Sequence, residues 1–407
     1  LLLTLLTPAF AETLSLPEIE RVALSGSPRI RAAEAEIEML RKRAEGSGTL
    51  EDPRLKIGVN NLPAAHPSFR RSDMTSKELG VSQMLPLGGK LSAREAIARY
   101  EYLQSRQRLR KEKLQLIAAI RSAVYELAYA RESISILNEM KTQVRLLIDS
   151  EIAATTSGTG SLSSVIKANL EYTMLDEELI ELAEREESSR HMISYLAGSD
   201  IEASTRGILA PDFQRFAMPM ARDSIIAGNP DLAMLKIEHD RDTTSISLKE
   251  KDYIPDVELG MSYMQRDSGP MGKRDDMISG MATFNIPLWF ASRNILMVEE
   301  MKKKGDVTRM SYEDKKNELM FRAAALLSRM KKWEEMYRLY TEQLVPQASL
   351  ALETSLARYR TGSGEFMQAI DNLRTLLRYK KDAVMACKEY LISRAELEAL
   401  AGVEAPR

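Results

Sequence analysis

The sequence predicts a mainly α fold with a small β part, built as two tandem structural repeats. Three observations carry this. Phrases recur at a near-constant offset. Gly26-Ser27-Pro28 returns as Gly228-Asn229-Pro230, and Pro53-Arg54-Leu55-Lys56-Ile57-Gly58 as Pro255-Asp256-Val257-Glu258-Leu259-Gly260. Leu85-Pro86-Leu87 returns as Ile286-Pro287-Leu288, and Leu196-Ala197-Gly198 as Leu400-Ala401-Gly402. The offsets, 202, 202, 201 and 204 residues, drift so little through unlike segments that they mark a duplicated unit. Next, residues 91–157 contain neither Gly nor Pro, enough for about 100 Å of helix at ~1.5 Å per residue. Finally, each half holds two short runs that alternate with period two, the pattern of strands with one apolar face. Each repeat therefore reads helix, strand, strand, long helix, helix.

The elements follow in order. Residues 1–11 are apolar and end in Ala9-Phe10-Ala11, which reads as the remnant of a signal peptide cleaved before residue 12. The first repeat takes 12–198. Ser15, Pro17 and Glu18 open a helix expected over 15–45, where Gly46-Ser47-Gly48 stops it. Strands are expected at 54–61, with Leu55, Ile57 and Val59 on one face, and at 77–85, with Leu79, Val81 and Leu85 together and Gln83 as the exception. Gly88-Gly89 makes the bend into a helical hairpin over 90–197. Its first arm carries Ile117, Ile120, Val124, Leu127, Ile134, Leu137, Val144 and Leu147 at the spacing of a coiled-coil seam. Gly158-Thr159-Gly160 turns the chain. A linker, 199–221, contains Pro211 and Pro219.

The second repeat takes 222–402. Its helix is expected from 231 to 251, and its strands at 256–264 and 278–288. Val257, Leu259, Met261 and Tyr263 share one face, and Ala282, Phe284, Ile286 and Leu288 share another. A hairpin over 291–401 should be interrupted at Gly305 and Pro346 and turn at Gly362-Ser363-Gly364. Residues 403–407 form a tail.

Composition narrows the function. The formal net charge of −2 over 407 residues supplies no basic field for nucleic acid. Cys387 is the single cysteine, so neither an intrachain disulfide nor a cysteine zinc cluster can form. His66, His191 and His239 lie far apart, without metal-ligand spacing. No segment approaches the ~20 apolar residues of a membrane helix, so any span must be made of strands. Strands of about nine to eleven tilted residues cross a bilayer. Four strands cannot close a barrel, and open edges in lipid cost several kcal/mol per backbone group, so other copies of the chain must complete the sheet. The rival reading is a soluble, elongated coiled-coil scaffold or adaptor with two small β-hairpin units; solubility without detergent would favour it.

The residues also resemble a known family. Tyr359-Arg360-Thr361-Gly362 followed by Ala369-Ile370-Asp371-Asn372, and Gly158-Thr159-Gly160 followed by Val165-Ile166-Lys167-Ala168-Asn169, together with the repeat, resemble the TolC-like outer-membrane efflux channels. The resemblance implies a homotrimer with a twelve-stranded β-barrel in outer-membrane lipid, continued by a long α-helical barrel across the periplasm. It implies an inner-membrane efflux pump and a periplasmic adaptor as partners, no enzymatic activity and no cofactor. The adaptor would dock on the hairpin tips at Gly158, Gly160, Gly362 and Gly364. The gate of the family aligns with Asp371, with Gln368 where a second acid is expected, and with Tyr359, whose usual arginine partner is replaced by Gly364. Leu55, Ile57, Val59, Leu79, Val81, Val257, Leu259, Met261, Phe284 and Ile286 would face lipid. The Pro-flanked first hairpin is similar to channels of heavy-metal resistance systems.

Other candidates are weaker. Soft thioethers bind Cu(I) or Ag(I), and Met218 pairs with Met220 while Met261, Met264, Met277 and Met281 surround one hairpin; most of the 22 methionines sit at packing positions. Trp289-Phe290 follows the last strand, where an aromatic belt at a membrane interface belongs. No nucleophile with its base, phosphate loop or cofactor fingerprint is present.

Overall fold

The computed structural model describes residues 13–158, 160–213, 218–269 and 271–403. The expected signal-peptide remnant and most of the tail lie outside the described residues, as does Thr159 of the first turn. The helices are α1 (Leu16–Gly26), α2 (Pro28–Ser47), α3 (Lys90–Thr156), α4 (Leu162–Ala197), α5 (Met218–Gly228), α6 (Pro230–Glu250), α7 (Ile295–Leu339), α8 (Val345–Arg360) and α9 (Phe366–Leu400). The strands are β1 (Arg54–Asn60), β2 (Ser76–Leu85), β3 (Val257–Gln265) and β4 (Met277–Phe284).

Several expected boundaries give way to local chemistry. The expected single helix over 15–45 is two helices, because Pro28 pushes the preceding Ser27 to an extended ψ of 121°. The second repeat breaks in the same way between Gly228 and Pro230, so α5 begins inside the expected linker at Met218. Gly305 does not interrupt α7, and only Ile246 comes near it, 3.9 Å from where a Cβ would stand. At Pro346 the chain answers the missing amide with a π-helical turn, Tyr340–Leu344, directly before α8. β4 ends at Phe284, short of the expected 288: Pro287 has no amide to offer a ladder, and Ile286 lies outside the strand.

Two compact units divide the chain, and neither is a repeat. One takes residues 35–107 and 232–314; the other takes 1–34, 108–231 and 315–407. Each unit thus draws on both repeats. In the first, a four-stranded antiparallel sheet has the order β1-β2-β3-β4, with β2 and β3 pairing across the repeats. Nearby helices are pinned by a buried polar contact, in which the Thr308 hydroxyl donates to Asp242 Oδ2 at 2.6 Å.

The other unit holds two apolar clusters. Leu137, Met140, Val144 and Ile148 of α3 meet Phe366, Ile370, Leu373 and Leu377 of α9 with α4 and α8 residues. Ile19 and Ala23 of α1 meet Ile120, Val124 and Leu127 of α3. Both are seams between helices, filled by aliphatic chains, which is why 6% aromatic content suffices. In each repeat the recurrent phrases pack on each other. A Cβ on Gly26 would stand 2.7 Å from the Ala197 carbonyl oxygen, and one on Gly402 2.1 Å from that of Gly228. Helix ends this close leave no room for a side chain.

Candidate functional site

The sheet is the first candidate surface. Its register sorts the strands' side chains onto two faces. Ile57, Leu79, Tyr263 and Ile278 form one row, Leu55, Val81, Met261 and Gly280 the next, and Leu85, Val257 and Phe284 another. Nearly all of these apolar side chains are exposed, Ile57 by 77% and Ile278 by 75%. Of the expected lipid-facing set, Leu55, Ile57, Val59, Leu79, Val81, Val257, Leu259, Met261 and Phe284 fall on this one face. Ile286 does not belong to a strand. Tyr263 and Ile278 complete the face. Ile278 was missed in the sequence although it shares parity with Ala282 and Phe284.

The opposite face is polar. Lys56 and Glu78 pair at 3.0 Å, Asn60 donates to Glu78 at 2.9 Å, and Ser82 donates to Glu258 at 2.7 Å. Glu78 is buried among these partners. The hairpin methionines split between the faces: Met261 is apolar-side, whereas Met264, Met277 and Met281 are polar-side, with Met264 opposite Met277. Among the described residues, both outer strands, β1 and β4, have one unpaired edge.

The hairpin ends are the second candidate. Gly158 and Gly362 adopt φ of 83° and 70°, which the sequence meets with glycine. Gly160 and Gly364 are needed for close approach instead. A Cβ on Gly160 would lie 2.5 Å from Thr155 N, and one on Gly364 2.8 Å from Arg358 Cβ. Both turns therefore use the same division of labour.

Behind the turns, the Tyr359 hydroxyl donates to Glu151 Oε2 at 2.7 Å, and the Ser161 amide donates to Glu151 Oε1 at 2.9 Å. The Tyr359 ring packs edge-on against Phe366 at 5.5 Å. Burial, with the Glu151 carboxylate beside it, pushes the Tyr359 phenol above its ordinary range. Tyr359 is thus bonded within its own chain. Glu151 was missed by the sequence reading. Its signal is an acid three residues beyond Ile148 in the α3 seam, where an apolar residue is due.

Asp371 and Gln368 occupy exposed positions on α9. Gln368 donates to Asn372 at 3.3 Å, and Asn372 donates to the Ala351 carbonyl at 3.1 Å. The Asp371 side chain opens on a cleft of about 510 Å³ that also holds Arg374, Thr375, Arg378 and Asp382. Gln368 lines a different cleft, with Ala351 and Asn372, so the two stand three residues apart on α9 without sharing a cleft, while Tyr359 is bonded to Glu151. Among the described residues no helix is long and apolar enough to cross a membrane.

Comparison with known proteins agrees with this geometry. The family described as outer membrane efflux protein matches residues 21–196 and 221–403, one segment in each repeat. Among characterised proteins, the chain is 22% identical to the alkaline protease secretion protein AprF of Pseudomonas aeruginosa over 421 aligned positions, covering 99% of this chain and 87% of that one. Among solved structures, the outer-membrane channel OprN superposes with a TM-score of 0.80 at 16% identity, over 95% of this chain and 89% of that one. The outer membrane protein VceC of Vibrio cholerae gives 0.78 at 15% identity, over 95% and 96%.

Proposed function

Because this chain belongs to the outer membrane efflux protein family, as the match over both repeats shows, we propose that it is the passive outer-membrane conduit of a tripartite export system. The protein resides in the outer membrane and extends into the periplasm. The observation that carries the conduit reading is the sheet, with one largely apolar face on which Lys77, Gln83 and Gln265 are polar exceptions, one largely polar face, and two outer strands that each keep an edge unpaired among the described residues. In lipid those edges must find partners. Three copies of a four-stranded sheet supply the twelve strands of a closed barrel whose polar face lines the pore. Energy would come from an inner-membrane pump, through a periplasmic adaptor seated on the tips around Gly158, Gly160, Gly362 and Gly364. Asp371, beside Gln368, would impose a negative constriction. Tyr359 would serve the closed tip through its hydrogen bond to Glu151.

Two cargo classes have separate support. The Pro-flanked first hairpin favours small toxic solutes, heavy-metal ions among them. The relative named for alkaline protease secretion favours an exported polypeptide. Deleting the gene and measuring both metal or drug tolerance and the secreted protein profile tests the conduit and sorts the cargo. Loss of either, restored by the wild-type chain and not by Gly362→Val, supports the reading. Unchanged tolerance and secretion would overturn it.

A further inference from the structure

The two repeats part company where the second strand of each passes into its long helix. In the first, Gly88 and Gly89 both take φ of 71°, and Lys90 is buried, its amine donating to the Ile254 carbonyl and to Asp256, each at 2.8 Å. The junction is small and closed on itself. In the second, Trp289 and Phe290 stand in the place of the two glycines, and Ile286, Leu288 and Trp289 are each at least 70% exposed. These exposed apolar residues follow the end of β4 at once in sequence, through a tight turn in which the Leu288 amide donates to the Ile286 carbonyl at 2.9 Å. Tyr253, also exposed, meets the Phe290 ring edge-on at 6.2 Å.

A cation follows one helical turn on. The Arg293 amide donates to the Trp289 carbonyl at 3.0 Å, so Arg293 stands one turn beyond Trp289. Its guanidinium is exposed and has no ion-pair partner among the described residues. The next exposed charges along α7 are the acids Glu299 and Glu300, about 9 Å further on at ~1.5 Å per residue. Beyond them Lys302, Lys303 and Lys304 each pair with an acid, at 3.9, 3.6 and 3.7 Å, so Arg293 is the cation of residues 290–304 left without an ion pair among the described residues.

We propose that the β4–α7 junction is a phospholipid site, in which Arg293 holds the phosphate of a glycerophospholipid headgroup of the inner leaflet while Trp289, Leu288 and Tyr253 pack against its glycerol and upper acyl chains. The assignment rests on the outer-membrane reading. Continuity with the lipid-facing sheet supplies the apolar half. The planar guanidinium supplies a fork matched to phosphate oxygens, and an indole at headgroup depth is where amphipathic rings partition. The first repeat, with glycines and a satisfied lysine, offers no such site, so each chain binds at one junction of its two.

The chain has two tryptophans, which makes the test direct. In full-length protein carrying Trp333→Phe, Trp289 reports alone. The protein is reconstituted in phosphatidylethanolamine–phosphatidylglycerol vesicles brominated either near the headgroup or near the chain end. Shallow bromines should quench Trp289 about twofold more than deep ones. By native mass spectrometry in detergent, Arg293→Ala should retain about fivefold less phosphatidylglycerol than wild type with its assembly unchanged. Protein that floats with the vesicles yet leaves Trp289 unquenched would show that another copy of the chain covers the belt, and would overturn the site. Equal lipid retention by Arg293→Ala would also overturn it. Protein that fails to float would defeat the outer-membrane reading itself, a separate outcome.

Discussion

Tyr359 donates its hydroxyl to the carboxylate of Glu151 at 2.7 Å, joining α8 of the second repeat to α3 of the first behind the hairpin turns. Glu151 is buried, so removing the donor leaves its carboxylate with the Ser161 amide as the remaining hydrogen-bond donor among the described residues. A hydrogen bond to a charged group contributes about 1.5–3 kcal/mol. Tyr359→Phe should therefore lower hydrogen-exchange protection around Ser161 by roughly tenfold or more. Glu151→Gln should act on the same amides, and the double variant should cost less than the sum of the two. Additive effects would mean the two side chains act independently.

Met261 and Ser262 are neighbours in β3 on opposite faces, Met261 opposite Val81 and Ser262 opposite Gly80. A lysine on the lipid face near the bilayer midplane costs about 2–4 kcal/mol, while one on the pore face stays in water. Met261→Lys should sharply reduce the assembled outer-membrane fraction, and Ser262→Lys should leave it near wild type. Fractionation with quantitative blotting decides, and equal yields would contradict the assignment of faces.

Gly402 lies at φ of 72°, and a Cβ there would stand 2.1 Å from the Gly228 carbonyl oxygen. Gly402→Ala must both strain the backbone and separate two helix ends, which costs about 1–3 kcal/mol by overpacking alone. Gly46 is the control, with nothing within 4 Å of a Cβ. Thermal unfolding should show a clear loss for Gly402→Ala and none for Gly46→Ala.

That glycine pair explains why the repeats were legible. The recurrent Gly-x-Pro and Leu-Ala-Gly phrases touch each other in both halves, so the same packing demand is written twice. The sheet faces were legible for a similar reason, since parity alone sorts Leu55 from Lys56 and Met261 from Ser262. What the sequence hid is long-range or depends on one missing amide. Pairing of β2 with β3 joins residues about 180 apart, and no local pattern specifies it. Tyr359 was legible as a tip residue, but its partner Glu151 required the α3 seam and α8 to be placed side by side. Pro28 and Pro287 carried local signals that periodicity outweighed: one split a helix, and the other left Ile286 beyond its strand. At Pro346, where an interruption with a bend was expected, the chain stays helical through a π-helical turn.

Cys387 sits in α9 and is 1% exposed. Burial pushes its thiol from 9.0 up to about 12. The thiolate is the reactive form, so native protein at pH 8 should resist maleimide and become labelled on denaturation. The linkage has a definite sign. Between pH 9 and about 12 the unfolded chain releases a proton that the folded chain keeps, so stability falls as pH rises through that window. Cys387→Ala should lose this alkaline component, read as a smaller drop in melting temperature from pH 9 to pH 11.

Asp371 is the one acid of the expected gate, since Gln368 carries no charge. Its carboxylate has no ion-pair partner among the described residues. The two nearest arginines along α9 are engaged elsewhere: Arg374 pairs with Glu171 at 3.4 Å, and Arg378 lies over the Tyr379 ring at 4.9 Å. Asp371 therefore keeps a negative charge not cancelled by direct contact. Copies gathered around an axis within the Debye length of about 8 Å would reinforce one another. Asp371→Asn should weaken block of single-channel current by multivalent cations by about tenfold, with a shallower dependence on ionic strength. Asn372→Ala, one residue away, removes a bond to the Ala351 carbonyl without changing charge and should leave block as in wild type. Block unchanged in Asp371→Asn would place the constriction elsewhere along the chain.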